Sequence, residues 1–270
     1  GSSTVFPLTE RMAELFGEDG FGGQITIDSV GTGGGFERFC VAGETDIANA
    51  SRPIKAEETA ACQAIGRAPI EFRVGTDALA VIVSAENDFL TAVSLEQLGQ
   101  IFNGAITSWD QLDPSYPAEP IQLFSPGSDS GTYDYFVEEV LGDDDAALQA
   151  SGAQFSENDS VLVQGVTGSP FAIGYLGYAY YVANSEALQI LTVGGVTPTA
   201  ETAESGDYPL ARPLFIYSDA TIMQEKPQVA AFINYYLTYV NDEILDVGYF
   251  PASEEALNEA RQNWLDAAGE

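Results

Sequence analysis

The sequence predicts an α/β fold in two lobes, and three observations support this prediction. Short strand-like segments alternate with segments of helical spacing along the 270 residues, as in proteins with mixed sheets. Turn signals rich in glycine and proline separate these segments. Two long extended segments, at 70–84 and 210–218, are suited to cross from one lobe to the other. The predicted first lobe is therefore discontinuous, 1–77 plus 213–270, the second is 78–212, and a ligand cleft is expected between them.

The first lobe is predicted to begin with a helix at 4–16, because Leu8, Met12 and Leu15 lie on one helical face. Alternating isoleucines predict a strand at 24–30. A glycine loop is predicted at 31–35, and a short helix follows it and runs through Cys40 and Val41. The remaining segments of this lobe are a strand at 46–50 and three helices, at 55–65, 228–240 and 254–264.

The second lobe is predicted to contain two clear helices. One lies at 95–102 and ends at Asn103-Gly104, a dipeptide that favours the left-handed turn after a helix. The strand predicted at 121–125 leads through a loop rich in serine and glycine into the other helix, at 131–141. An aromatic-rich segment follows at 171–181.

The charge balance is strongly acidic. The chain has 41 acidic and nine basic residues, for a net charge of −32. Such a surface repels nucleic acid and anionic membranes, so neither is an expected partner. The composition indicates an acidic surface adapted to high salt, where repulsion is screened within a few Å. An acidic docking face for a cationic partner is the alternative.

Histidine is absent from the chain, and only two cysteines are present. The first fact excludes Ser-His triads, Cys-His dyads and histidine-rich zinc sites, and we expect neither a cofactor nor a metal. Cys40 and Cys62 predict a disulfide formed in an oxidising compartment, with two buried free thiols as the alternative. No apolar run approaches the roughly 18–20 residues that span a bilayer.

Three loops rich in glycine and hydroxyl groups, at 1–5, 31–35 and 125–132, each precede a predicted helix. Ser3 or Thr4 can cap the first helix, and the free N–H groups at a helix start favour an anion. Taken singly, these loops are also typical of ordinary caps and flexible turns. Together they predict a socket of uncharged donors for a tetrahedral oxyanion, which needs few cations.

Arg52 is the cation that stands out near these loops. It follows the strand at 46–50, and Pro53 restricts its backbone. A guanidinium can hold two oxygens of an oxyanion at once, so we expect Arg52 to contact the ligand. A salt bridge within the first lobe is the alternative.

The sequence resembles a known family, the PstS phosphate-binding component of the ABC phosphate importer, and in particular its cyanobacterial SphX branch. The resemblance covers essentially the whole chain. It is carried by GSSTVFPL at 1–8, SVGTGGGFERF at 29–39, TDIANASRPIK at 45–55, FSPGSDSGTYDYF at 124–136, IGYLGYAYY at 173–181, RPLFIY at 212–217 and VGYFP at 247–251.

The resemblance implies a type II periplasmic binding protein fold, with two α/β lobes joined by two crossing strands. It implies a monomer that binds inorganic phosphate outside the cytoplasm, in the periplasm or extracellularly, and delivers it to a membrane permease. A lipid anchor on the precursor stays open. The residues expected to contact phosphate are Ser3, Thr4, Val5 through its N–H group, Thr32, Ser130, Gly131 and Thr132.

Two departures from the enterobacterial pattern concern charge. That pattern has an aspartate where this chain has Arg52, and an arginine where it has Pro126. The aspartate accepts the proton of hydrogen phosphate, and sulfate at neutral pH has no such proton. Our hypothesis is that Asp129, inside the third loop, takes over this task. The alternatives are that Asp129 caps the helix at 131–141 or pairs with Arg52.

Two other functions are compatible with the sequence. A receptor for another tetrahedral oxyanion, namely sulfate, arsenate or molybdate, would use the same loops. A phosphomonoester hydrolase or phosphotransferase would need Ser3 or Ser130 as its nucleophile. Because no histidine base is present and no lysine lies near either loop, we expect a binding protein and not an enzyme.

Overall fold

The computed structural model describes residues 1–128 and 130–269. The strands are β1 (Ala48–Ala50), β2 (Ile70–Ser84), β3 (Ala92–Val93), β4 (Gln122–Pro126), β5 (Gln154–Ser156), β6 (Ala172–Gly177), β7 (Leu188–Ile190), β8 (Thr192–Val193) and β9 (Ala211–Ser218).

The α-helices are α1 (Phe6–Glu18), α2 (Gly31–Phe36), α3 (Ala56–Ala64), α4 (Leu95–Phe102), α5 (Trp109–Leu112), α6 (Gly131–Leu141), α7 (Asp145–Ala150), α8 (Asp159–Thr167), α9 (Tyr178–Ala183), α10 (Ala200–Glu204), α11 (Ala220–Glu225), α12 (Pro227–Val247) and α13 (Glu254–Ala268). A π-helical turn, Glu37–Ala42, continues α2.

The chain divides into two compact units. The first comprises Gly1–Asp77 and Arg212–Glu270, and the second comprises Ala78–Ala211. The boundary predicted from the sequence lies one residue later, between 212 and 213. Each unit is an α/β structure with its own core.

In the first unit, β1 pairs antiparallel with β9, with Ala48 opposite Tyr217. β9 lies between β1 and β2 in the strand order. Helix α1 packs against α12, and α12 packs against α11 and α13. The core is rich in fully buried aromatic side chains, including Phe36, Phe39, Phe72, Tyr217 and Tyr236. Burial of these large rings together with many aliphatic side chains stabilises the unit.

In the second unit, residues Leu79 to Val83 of β2 pair antiparallel with β6. β4 pairs parallel with both β5 and β6, and β7 pairs antiparallel with β2. Helices α4 and α6 pack together beside this sheet, where Phe102 and Phe136 meet edge to face. A short loop leads from the end of β4 directly into α6.

Local signals explain where several helices begin and end. In α4, Ser94 accepts the Gln97 N–H and the Gln97 side chain accepts the Ser94 N–H, which forms a capping box. Helix α6 begins after Ser130, whose hydroxyl accepts the Thr132 N–H. It ends at Gly142, whose φ of 60° suits glycine.

The predicted strand at 24–30 is wrong. The segment 24–30 forms no ladder, and it contacts other backbone only near its end. There the Gly1 nitrogen donates to the Asp28 carbonyl at 2.6 Å and the Val30 N–H donates to the Gly1 carbonyl at 2.9 Å. A strand requires a continuous ladder with a neighbour, and a single pairing does not supply one.

The predicted glycine loop at 31–35 is also wrong, because this segment forms α2. Four glycines disfavour a helix by roughly 1 kcal/mol each relative to alanine. Close backbone contact favours it here. A Cβ on Gly35 would lie 2.7 Å from the Gly1 Cα, so only glycine lets the helix approach the first loop.

The predicted disulfide between Cys40 and Cys62 is confirmed. It joins the π-helical turn Glu37–Ala42 to α3, and both cysteines are buried. No helix in the described ranges is long and apolar enough to cross a membrane.

Candidate anion-binding site

The first loop lies directly before α1 and is held by backbone hydrogen bonds. The Ser2 N–H donates to the carbonyl of Asn49 in β1 at 2.9 Å. Neither Ser3 nor Thr4 caps the helix, which corrects the prediction. Instead, the Ser2 hydroxyl accepts the Val5 N–H at 3.4 Å. The N-cap position of α1 is Val5, no side chain caps the helix, and the Thr4 hydroxyl makes a different contact.

Thr4 belongs to a buried cluster with an arginine and an aspartate. Arg212 donates from Nη2 to the Thr4 Oγ1 atom, and from Nε to the Asp77 Oδ2 atom at 3.1 Å. The exposed fraction is 9% for the Arg212 side chain and 1% for that of Asp77. Tyr249 donates its hydroxyl to the Thr4 carbonyl at 2.7 Å. The loop is thus attached to β2, to β9 and to the segment after α12.

A contact between Thr32 and Ser51 brings the start of α2 to the end of β1. Their hydroxyl oxygens lie 3.1 Å apart, and the Ser51 N–H donates to the Thr32 Oγ1 atom at 3.2 Å. The Val30 N–H donates to the Gly1 carbonyl and the Ser2 N–H to the Asn49 carbonyl, which joins the first loop to the start of α2 and to β1. The predicted residues Ser3, Thr4, Val5 and Thr32 therefore lie in one continuous region of the first unit.

Arg52 forms a two-pronged ion pair with Glu58 in α3. Its Nη1 and Nη2 atoms lie 2.9 and 2.7 Å from the two carboxylate oxygens. Burial alone would raise the pKa of Glu58, but the hydrogen bonds from Arg52 and from the Lys55 amide lower it below its ordinary value. The salt bridge considered for Arg52 is present, and its role toward a ligand stays a prediction.

The third loop lies in the second unit, between β4 and α6. The Gly127 N–H donates to the Ser156 carbonyl and the Ser130 N–H to the Gly127 carbonyl, both at 3.1 Å. A Cβ on Gly127 would lie 1.8 Å from the Glu157 carboxylate, so any side chain there would displace the flexible end of Glu157. Below the loop, the Ser125 and Tyr175 hydroxyls lie 2.7 Å apart.

The predicted residues of this loop occupy the first turn of α6. Ser130 caps it, and Gly131 and Thr132 are its first two residues, each partly exposed. N–H groups at a helix start have no partner within the helix and favour an anion. Asp129, the predicted proton acceptor, lies outside the described residues.

Sequence reasoning missed Ser51, Asp77 and Arg212. Ser51 is adjacent to Arg52 and carries a hydroxyl, a signal that was available. Asp77 interrupts the apolar segment 70–84. Arg212, one of seven arginines in the chain, stands in an otherwise apolar strand. A lone charge in a buried strand needs a partner, but the sequence does not show which residue supplies it.

A cavity of about 490 Å³ in the first unit lies apart from these side chains. It is lined by the unpaired segment 24–28, by residues 44–47 and by apolar side chains such as Phe16 and Phe232. None of Thr4, Thr32 and Arg52 lines it. Within residues 1–128 and 130–269, no cluster of three or more acidic or cysteine side chains is arranged to hold a metal.

Comparison with known proteins identifies the family. Residues 1–239 match the PBP superfamily domain. The protein SphX of Synechocystis is 41% identical over 267 residues, 96% of this chain and 79% of that protein. The phosphate-binding protein PstS of Staphylococcus haemolyticus is 36% identical over 260 residues, 94% of this chain and 80% of that protein.

A solved structure gives the same result. The crystal structure of a possible phosphate binding protein from Planctomyces limnophilus has a TM-score of 0.90 with this chain at 37% identity. The match covers 99% of this chain and 96% of the other. The predicted periplasmic binding protein fold is confirmed. The chain therefore belongs to the PBP superfamily and, within it, to the family of the PstS and SphX proteins.

Proposed function

We propose that the protein binds inorganic phosphate and delivers it to the membrane permease of an ABC importer. The observation that carries this proposal is the similarity to SphX and PstS proteins over nearly the whole chain, at 36 to 41% identity. The hydroxyl-rich loops at the starts of α1 and α6 supply the chemistry, since hydroxyl and backbone N–H groups can donate to every oxygen of the anion.

The charges near these loops favour an anion held mainly by neutral donors. Arg52 and Arg212 are each paired with a carboxylate, of Glu58 and Asp77 respectively. Pairing spreads the positive charge and keeps each guanidinium in place. A protein with a net charge of −32 can thus present local donors to an anion that its surface as a whole repels.

The proposed location is the periplasm or the cell exterior, and the proposed form is a monomer. The buried disulfide between Cys40 and Cys62 supports an oxidising compartment, because disulfides are rare in reducing ones. The ligand cleft between lobes, the lipid anchor and the role of Asp129 stay predictions.

Titration calorimetry tests the ligand. We expect a single phosphate to bind each chain, and sulfate and molybdate to compete poorly at neutral pH. Sulfate binding as tight as phosphate binding would support the receptor for another oxyanion. Arsenate has the same shape and the same proton as phosphate, so it is expected to compete most strongly.

We also propose that the protein is not an enzyme. The Ser130 hydroxyl accepts an N–H group at the start of α6, and the chain has no histidine to activate a serine. Incubation with p-nitrophenyl phosphate should release no nitrophenol beyond the rate without protein. Turnover that disappears in Ser3→Ala or Ser130→Ala would show a hydrolase instead.

Replacing Ser130 by alanine is expected to weaken phosphate binding roughly tenfold, because a hydrogen bond to a charged group is lost. The change also removes the N-cap of α6 and should lower the free energy of unfolding by about 1 kcal/mol. Calorimetry and urea unfolding measure the two effects separately.

Ser94→Ala is the matched control for this substitution. Ser94 caps α4 in the same unit and accepts the Gln97 N–H at 3.0 Å, but it is not a predicted phosphate contact. The control should lose the same stability and keep its phosphate affinity. Equal affinities for Ser130→Ala and the control would remove Ser130 from the site.

Replacing Arg52 by glutamine is expected to weaken phosphate binding about tenfold or more, because a charge-assisted contact is lost. The side chain is 28% exposed, so the free energy of unfolding should fall by less than about 1 kcal/mol. Arg11→Gln, which breaks the pair with Glu243 at 2.9 Å, is the control and should leave phosphate affinity unchanged. If Arg52→Gln also keeps full affinity, Arg52 serves only as the partner of Glu58.

A further inference from the structure

We propose that Arg212, held in place by Asp77, is a positioning residue that directs the Thr4 hydroxyl hydrogen toward the bound anion. This inference rests on the proposed function, because it specifies how one phosphate contact acquires its donor. It concerns three side chains of the first unit that lie far apart in sequence and meet in its interior.

The contact between Arg212 and Thr4 has a defined direction. A guanidinium has five N–H donors and no acceptor, so the Thr4 Oγ1 atom must accept from Arg212. A hydroxyl also carries one hydrogen of its own, which cannot point at the donor it is accepting from. The Thr4 hydrogen is therefore turned away from Arg212.

That hydrogen has no acceptor in the part of the chain that the structure describes. Arg212 is the only hydrogen-bond partner of the Thr4 hydroxyl there, and the Tyr249 contact is to the Thr4 carbonyl. Thr4 is 3% exposed, so water has little access to it. A buried donor without an acceptor is unfavourable by about 1–3 kcal/mol, and an anion at the start of α1 would remove this penalty.

Asp77 makes the arrangement rigid. Its carboxylate, 1% exposed, accepts from the Arg212 Nε atom and neutralises the guanidinium. A buried arginine without a carboxylate would be strongly unfavourable, so the pair fixes both the charge and the orientation of the Nη2 group. Pro213 follows Arg212 in β9 and restricts its backbone as well. The Thr4 hydroxyl is thereby oriented before the ligand arrives.

Pre-orientation predicts a specific energetic coupling. Thr4→Val keeps the shape of the side chain but removes the hydroxyl, and we expect phosphate binding to weaken roughly 10- to 100-fold, as for a lost hydrogen bond to a charged group. Arg212→Gln should weaken binding by a similar factor in the wild-type background. In the Thr4→Val background, Arg212→Gln should have no further effect, because no hydroxyl remains to be oriented.

Three control variants separate positioning from general loosening. Thr9→Val makes the same change at a buried threonine of α1 that contacts Tyr236, and it should leave phosphate affinity unchanged. Arg212→Lys retains donors and should keep more affinity than Arg212→Gln. Thr32→Val should combine additively with Arg212→Gln, because Thr32 contacts Ser51 and not Arg212.

The experiment is calorimetry with inorganic phosphate on the full chain, with circular dichroism to check folding. If Arg212→Gln fails to fold, Asp77→Asn replaces it in the same cycle. That change removes the carboxylate that holds Arg212 but keeps the positive charge of Arg212 itself. The inference is supported if Arg212→Gln, or Asp77→Asn in its place, weakens phosphate binding in the wild-type background but not in the Thr4→Val background. Equal weakening in both backgrounds overturns it and indicates an independent role for Arg212. If the wild-type chain does not bind phosphate at all, the proposed function fails, which is a separate result.

Discussion

Removal of the disulfide between Cys40 and Cys62 is expected to lower the free energy of unfolding by about 3 kcal/mol, because the closed loop of the unfolded chain is released. The separation of 22 residues sets this magnitude. Urea unfolding of the oxidised and the reduced wild-type protein measures it without changing any side chain. An unchanged midpoint of unfolding would contradict the prediction.

The same disulfide is expected to affect phosphate binding. It joins the π-helical turn Glu37–Ala42, which continues α2, to α3, which carries Glu58. Thr32 lies in α2, and Glu58 holds Arg52. Reduction should therefore loosen both predicted contacts and weaken binding. In the double variant Cys40→Ala and Cys62→Ala, a reducing agent should change neither stability nor affinity, because the chain has no other cysteine.

Elements with strong local signals could be predicted from the sequence. The segment 70–84 was expected to be extended, and β2 has these bounds because its apolar run is long and its turns are well marked. Helix α4 was also predicted at its observed position. There the apolar spacing agrees with a capping box at its start and with Asn103-Gly104 after its end.

Elements that depend on distant contacts could not be predicted. The alternation at 24–30 has the period of a strand, but the segment lacks a neighbouring ladder. Gly31–Phe36 is helical against its propensity, because Gly35 packs on Gly1 and the helix lies beside β1. Propensity is a weak preference that tertiary contacts override.

The sequence predicted the loop residues of the site but not the buried charged residues beneath them. Ser3, Thr4 and Thr32 stand in glycine- and hydroxyl-rich segments that are visible in the sequence. Arg212 and Asp77 are 135 residues apart, and Arg212 and Thr4 are 208 residues apart. No local pattern joins such residues, so only the fold shows that Thr4, Arg212 and Asp77 meet.

Raising sodium chloride from 0.1 M to 1 M is expected to raise the melting temperature by about 10 °C, or about 3 kcal/mol for a chain of this size. The 41 acidic residues repel one another in the folded state, and the nine basic residues compensate few of them. The screening length falls from about 10 Å to about 3 Å over this range, so most of this repulsion disappears. Differential scanning calorimetry measures the shift.

A variant with fewer surface charges tests the cause. Six exposed glutamates without side-chain partners in the described residues can be changed to glutamine, namely Glu10, Glu18, Glu119, Glu138, Glu186 and Glu225. The variant should melt at a higher temperature in 0.1 M salt and gain less from added salt. An equal gain in both proteins would point to a general effect of salt on apolar burial.

Salt is expected to affect phosphate binding in a direction that is unusual for an anion site. At a cationic site, added salt screens the attraction and weakens binding. Here Arg52 and Arg212 are paired with Glu58 and Asp77, and the net charge of −32 repels the incoming anion. Screening should therefore raise the association rate, while the short-range hydrogen bonds that govern dissociation stay nearly constant. Stopped-flow kinetics from 0.1 M to 1 M sodium chloride would show this rise, and a falling association rate would mean that an uncompensated positive charge dominates the site.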